Sequence, residues 1–180
     1  GEETRFEQYA EPLEKWYSVY AYSPRKGYFA TVFEDITVRK RAEEAEKEQT
    51  ALLDSLLNAI PSPVFYKDLE GRYLGFNQAF EEFFGKKRKD LVGKSVFDIN
   101  PRHLAEIYHA KDNELFQNPG IQVYDSQVKD AQGQTHDVIF HKATFCNAQG
   151  QLRGLVGVIL DITGRKRAEE ALRTSEEQLS

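Results

Sequence analysis

The chain has 180 residues, 40% hydrophobic, 12% aromatic and 29% charged, an ordinary mixture for one globular domain with something left over. Its net charge of −5 gives no reason to expect nucleic acid or an anionic membrane as a partner. One cysteine, Cys146, excludes an internal disulfide and points to a reducing, cytoplasmic setting, and the longest apolar run, Gly154–Leu160, is too short to cross a bilayer.

In chain order, the opening "GEETRF" reads as a cut made inside a longer protein. "TRFEQYAEP", "KWYSVYAYS" (Lys15–Ser23) and "SPRKGYFATVFE" predict three strands joined by turns. A charged helix follows. Along it Val38, Ala42, Ala45, Gln49, Leu52, Leu56 and Ala59 alternate spacings of four and three, which is a heptad seam. A second stripe, Leu53, Leu57 and Ile60, lies beside it. The first stripe is expected to face a partner helix and the second to pack on the chain's own sheet. A single amphipathic helix lying on one sheet is the alternative.

Next, "SPVFYKD" and "YLGF" read as two strands around the turn "LEGR". Asn77 suits the N-cap of a short helix, "QAFEEFFG", that stops at Gly85. "KRKDLVG" and "SVFDI" are helical turns, and a longer helix starts at Pro101 and breaks at Asn118-Pro119-Gly120. "IQVYDSQVKD", "THDVIFHKATF" and "GQLRGLVGVIL" complete a second three-stranded meander. The tail helix repeats a weak seam with Ala168, Leu172, Ser175 and Leu179. Strands, then helices, then strands predict an α+β fold with the helices gathered on one side of an antiparallel sheet.

The two meanders end in nearly the same words. "DITVRKRAEEA" begins at Asp35 and "DITGRKRAEEA" at Asp161, 126 residues later, with only Val38 and Gly164 differing. A repeat at this spacing marks a duplicated unit. The segments "VFYKDLEGRYLGFNQAF", "DLVGKSVFDI" and "DAQGQTHDVIFHKATFCNAQGQLRGLVGVILDIT" resemble the PAS sensor domain, and the closing meander resembles its PAC motif. The resemblance implies a five-stranded antiparallel sheet with helices on one face, plus a three-stranded partial PAS and linker helices. It divides the chain into 1–37, the meander of a preceding PAS domain, 38–58, a coiled-coil-like linker, 59–163, a complete PAS domain, and 164–180, the start of the next signalling helix.

The resemblance also implies a relay at the strand-to-helix junctions Asp35, Thr37 and Asp161, Thr163, with Thr163 able to serve as N-cap. It implies a homodimer through the linker helices, with Val38, Ala42, Ala45, Leu52 and Leu56 in the seam. The parent protein is expected to be a sensor histidine kinase or, alternatively, a diguanylate cyclase.

Catalytic and metal signatures are missing from the sequence. His136 and His141 fall on opposite faces of one strand, His103 and His109 are not stacked on their helix, and Cys146 has no cysteine partner. No phosphate loop or nucleophile elbow is present, and "KKRK" at Lys86–Lys89 reads as a solvated turn. No enzyme activity and no metal site are therefore expected of this segment. Cofactors known from PAS-like domains are not expected either. The light-sensing subtype needs a cysteine where "GKSV" places Val96. Haem-binding relatives use a histidine on the long helix, near His109. The stripe Leu104, Ile107, Tyr108 and Leu115 puts His109 roughly 140° from the apolar centre.

The resemblance places Gln122, Tyr124, Ser126, Val128, Val138, Phe140, Lys142, Thr144 and Ile159 toward the helices. Val123, Ile139, Phe145, Val158 and Leu160 then face the other way, toward the linker helix. Phe65, Tyr108, Tyr124, Ser126, Phe140, Lys142 and Ile159 become the candidate ligand residues. An inward Lys142 needs a protein carboxylate, an outward-snorkelling stem, or a small anionic ligand. A register slip of one residue would turn His141 inward instead. Three function classes stay open: a sensory relay module, an enzyme, and a dimerisation or spacer module whose core is filled by Phe65, Phe76, Phe80, Phe83 and Phe84.

Overall fold

The computed structural model describes residues 3–178, and the chain forms two compact units, Gly1–Leu53 and Asp54–Ser180. In the first, β1 (Glu3–Ala10), β2 (Lys15–Arg25) and β3 (Tyr28–Asp35) make an antiparallel meander in that order. Helix α1 (Thr37–Asn58) follows directly.

In the second unit, β4 (Val64–Asp68) and β5 (Tyr73–Phe76) form a hairpin. Asp68 shapes its turn by accepting hydrogen bonds from the backbone N–H groups of Glu70 and Arg72. Four helices come next: α2 (Gln78–Phe84), α3 (Arg88–Leu91), α4 (Val96–Ile99) and α5 (Arg102–Gln117). Gly85 ends α2 in the left-handed region, and Ser95 with Asp98 forms a reciprocal capping box on α4. The chain then returns through β6 (Ile121–Lys129), β7 (Thr135–Cys146) and β8 (Leu152–Asp161), and leaves by α6 (Thr163–Gln178).

The five strands are antiparallel in the order β5-β4-β8-β7-β6, so the last strand slots between the early hairpin and the meander. The helix-facing side alternates as strand geometry demands: Phe65 on β4, Val138 and Phe140 on β7, and Leu155 and Ile159 on β8 are all buried. Across the sheet, Phe80 and Leu91 close this core from the helices. The β4–β8 seam is unusually tight. Phe65 pairs with Gly157 and Asp68 with Gly154. A Cβ at Gly157 would strike the Phe65 ring, and one at Gly154 would strike the Lys67 carbonyl oxygen.

Asn77 caps α2 as expected, and its buried side chain reaches further. Its Oδ1 accepts from the N–H groups of Phe80 and Val64, at 3.1 and 2.9 Å. Its Nδ2 donates to the carbonyls of Leu57, Ile60 and Ser62, at 3.0, 3.1 and 3.0 Å. The end of α1 is thereby held to its domain through backbone groups.

Two stripe assignments need correction. The second stripe of α1 does not pack on a sheet, since Leu53 and Ile60 are exposed and only Leu57 is half-buried. The Asn77 bonds perform that anchoring instead. On α5, Ile107 is exposed, and the inward face is Ala105, Tyr108, Asp112 and Leu115. A buried aspartate broke the apolar pattern and pulled the inferred stripe sideways. The first seam stands open: Val38, Ala42, Ala45, Leu52 and Leu56 are exposed in the single chain. So are Ala168, Leu172 and Ser175 on α6, while Leu179 lies outside the described residues.

Candidate ligand cavity and relay junctions

Between the helices and the five-stranded sheet lies a cavity of about 650 Å³. This is within the range of small-molecule sites. The phenylalanines do pack together, with Phe80 4.6 Å from Phe84 and 4.9 Å from Phe76 between ring centroids. Of these, Phe80 and Phe84 line the cavity, and the space beside Phe140 and Ile159 stays open. Five of the seven residues anticipated as ligand contacts line it: Phe65, Tyr108, Phe140, Lys142 and Ile159. Tyr124 and Ser126 face the helices but are not among the lining residues. The Tyr124 ring is stacked on Phe140, 5.2 Å away at 15°.

Lys142 is fully buried, which settles the strand register in favour of an inward lysine and leaves His141 exposed. Its Nζ donates to Asp112 Oδ1 at 2.6 Å. A second buried lysine shares the same carboxylate: Lys67 Nζ donates to Asp112 Oδ2 at 2.7 Å. Burial pulls the Lys67 ammonium below the usual lysine range, and the nearby Lys142 adds to that, while Asp112 opposes both. Burial also pushes the hydroxyls of Tyr73 and Tyr124 well above the ordinary tyrosine range. Both lysines line the cavity and Asp112 does not.

The sequence reading missed Lys67 and Asp112, although signals existed for both. Lys67 follows Phe65 by two residues on one strand and so shares its face. Asp112 follows Tyr108 by four on one helix and so continues its stripe.

His109 does not line the cavity; its ring packs against Phe97 at 5.2 Å and its Nε2 lies 3.0 Å from Asn113 Nδ2. Val96, where the light-sensing subtype carries its cysteine, is buried and lines the cavity with a side chain that cannot form an adduct.

The two strand-to-helix junctions are built alike. Asp35 Oδ1 accepts from Thr37 N at 3.0 Å, and Asp161 Oδ1 accepts from Thr163 N at 2.9 Å. Thr37 Oγ1 accepts from Trp16 N at 3.0 Å, and Thr163 Oγ1 accepts from Asp137 N at 2.9 Å. The N–H groups of Ile36 and Ile162 donate to the carbonyls of those same two residues. Thr163 is therefore the first residue of α6 and not its N-cap, because its hydroxyl is committed to β7; Asp161 accepts from the first helical N–H instead. The junctions differ at one partner. Lys15 Nζ reaches Asp35 Oδ2 at 2.9 Å, whereas His136 Nδ1 reaches Asp161 Oδ2 at 2.7 Å.

A family profile described as the PAS fold matches residues 57–167, and the chain belongs to that family. Over 127 residues it is 30% identical to the aerobic respiration control sensor protein ArcB of Escherichia coli, covering 70% of this chain and 16% of ArcB. It is 28% identical over 145 residues to the C4-dicarboxylate transport sensor protein DctS of Rhodobacter capsulatus, covering 79% of this chain and 22% of DctS. The PAS domain of Bordetella pertussis BvgS superposes with a TM-score of 0.56 at 25% identity, covering 73% of this chain and 98% of that domain. The chain thus spans less than a quarter of the length of these sensor relatives and is a sensory signalling module of their kind. Among the described residues, no helix is long and apolar enough to cross a membrane.

Proposed function

We propose that the chain is a cytoplasmic signal-relay segment of a sensor histidine kinase. A small anionic molecule entering the cavity alters the sheet, and the Asp161-Ile162-Thr163 junction passes the change into α6. The segment itself does no chemistry and uses neither haem nor a flavin adduct, a reading supported by the placement of His109 and Val96. It works as a homodimer through its linker helices.

The observation that carries this reading is the duplicated junction. The same side-chain and backbone bonds tie sheet to helix at both ends of α1 and its domain, so strand displacement at either meander reaches a helix by one mechanism. The open cavity favours sensing over a filled spacer. In the full-length protein, alanine at Asp161 or Thr163 should change autophosphorylation while the isolated segment keeps its circular dichroism spectrum. Unaltered output from both variants refutes the relay.

A further inference from the structure

Buried charge in the second unit does not balance. Two lysines, each about 2% exposed, meet the two oxygens of a single aspartate that is equally buried. One hydrogen bond to Asp112 uses one of three N–H donors on each ammonium. The pair then has donors to spare, and both lysines border the cavity while the carboxylate stands behind them. Aromatic faces supply the rest of their surroundings: Lys67 Nζ lies 4.7 Å from the Tyr73 centroid and Lys142 Nζ 5.2 Å from that of Tyr124. Such faces soften the loss of water but cannot neutralise a charge. No second carboxylate reaches either lysine among the described residues.

Resting on the reading of this cavity as the sensory site, we propose that Lys67 and Lys142 form an anion site. It takes a small monocarboxylate with an aryl or branched apolar body. The carboxylate lies against the two ammoniums, and the body lies along Phe65, Phe80, Phe140 and Ile159, which line the same space. A single added negative charge makes the cluster neutral; a dicarboxylate would bury one charge too many. Lys86 and Lys129 also line the cavity, with Asp130 beside them, so the lining as a whole carries more positive than negative charge.

The test is calorimetric titration of the whole 180-residue chain with phenylacetate, 3-phenylpropionate, succinate and the neutral phenylacetamide. An arylcarboxylate should bind about tenfold or more tightly than the amide and than succinate. Lys67→Met leaves a balanced Lys142–Asp112 pair, so it should stay folded and lose about tenfold or more in affinity for the arylcarboxylate. Asp112→Asn should unfold at lower temperature and be rescued by the same acid. Equal binding of acid and amide, no binding of any acid, or full affinity in Lys67→Met each overturns the site. If Lys67→Met does not fold, the acid-against-amide comparison on the unaltered chain decides. These outcomes are independent of the relay. Binding without an effect of Asp161→Ala on output sinks the relay alone, and altered output without acid binding sinks the site alone.

Discussion

Asn77 makes five hydrogen bonds with one buried amide, and they hold the carbonyls of Leu57, Ile60 and Ser62 beside the N–H groups of Val64 and Phe80. Replacing it with alanine strands several of these groups away from water. The expected cost is about 3 kcal/mol, read as a lower urea midpoint with an unchanged slope. A loss below about 1 kcal/mol would mean that water takes the vacated places. The sequence announced Asn77 only as a helix cap, because a cap is a local pattern and four of its five partners precede it, on α1, on the loop after it and on β4. Lys142 was legible for another reason: the family resemblance set the strand register, and alternation within that register turns it inward. The inward face of Asp112 could be read from Tyr108, but its pairing with two lysines could not, since that pairing joins β4, α5 and β7 across the fold. No spacing in a single sequence encodes that meeting.

Each strand-to-helix junction behaves as an element with a charged clamp, and the two clamps titrate differently. His136 sits between Asp130, 3.0 Å from its Nε2, and Asp161, 2.7 Å from its Nδ1, with the Phe83 ring 5.1 Å away. The Asp130 bond is the strongest influence holding its proton above the usual histidine range; partial burial opposes it and Asp161 supports it. A raised folded value means that the clamp is complete below about pH 6.5, the unfolded value, and is lost as pH rises through the higher folded one. Amides in the first turn of α6 should therefore exchange faster with solvent, relative to the intrinsic rate, as pH passes from 6 to 9. His136→Lys copies the Lys15 arrangement of the first junction and should flatten that profile. An equally steep profile in the variant would assign the effect to another group. The elements themselves were readable, down to the meanders and the Gly85 stop, because turns, alternation and caps act over a few residues. The role of Thr163 was misread because its hydroxyl is claimed by β7, a contact between the first residue of α6 and a distant strand that no local rule reports.

At the scale of the whole molecule, the exposed seam of α1 carries the expectation of assembly, with Leu52 and Leu56 each more than half exposed. Glutamate at both positions should convert a sedimenting dimer to monomer; an unchanged dimer would place the contact on another surface. The duplication itself raises a further requirement. Laid over one another by their final aspartates, β8 and β3 occupy matching places in their meanders, and β3 is synthesised first. When β4 is made, the meander that precedes it in this chain is the wrong one. Tandem repeats are prone to this kind of misassembly. The tight seam disfavours it, since it leaves no room for a side chain at two positions. Where β8 offers Gly154 and Gly157 to β4, the matching positions of β3 hold Tyr28 and Thr31, and any Cβ there collides with the Lys67 carbonyl or the Phe65 ring. Two missing side chains thus serve as an address, sending β4 past the nearer copy to the strand made for it.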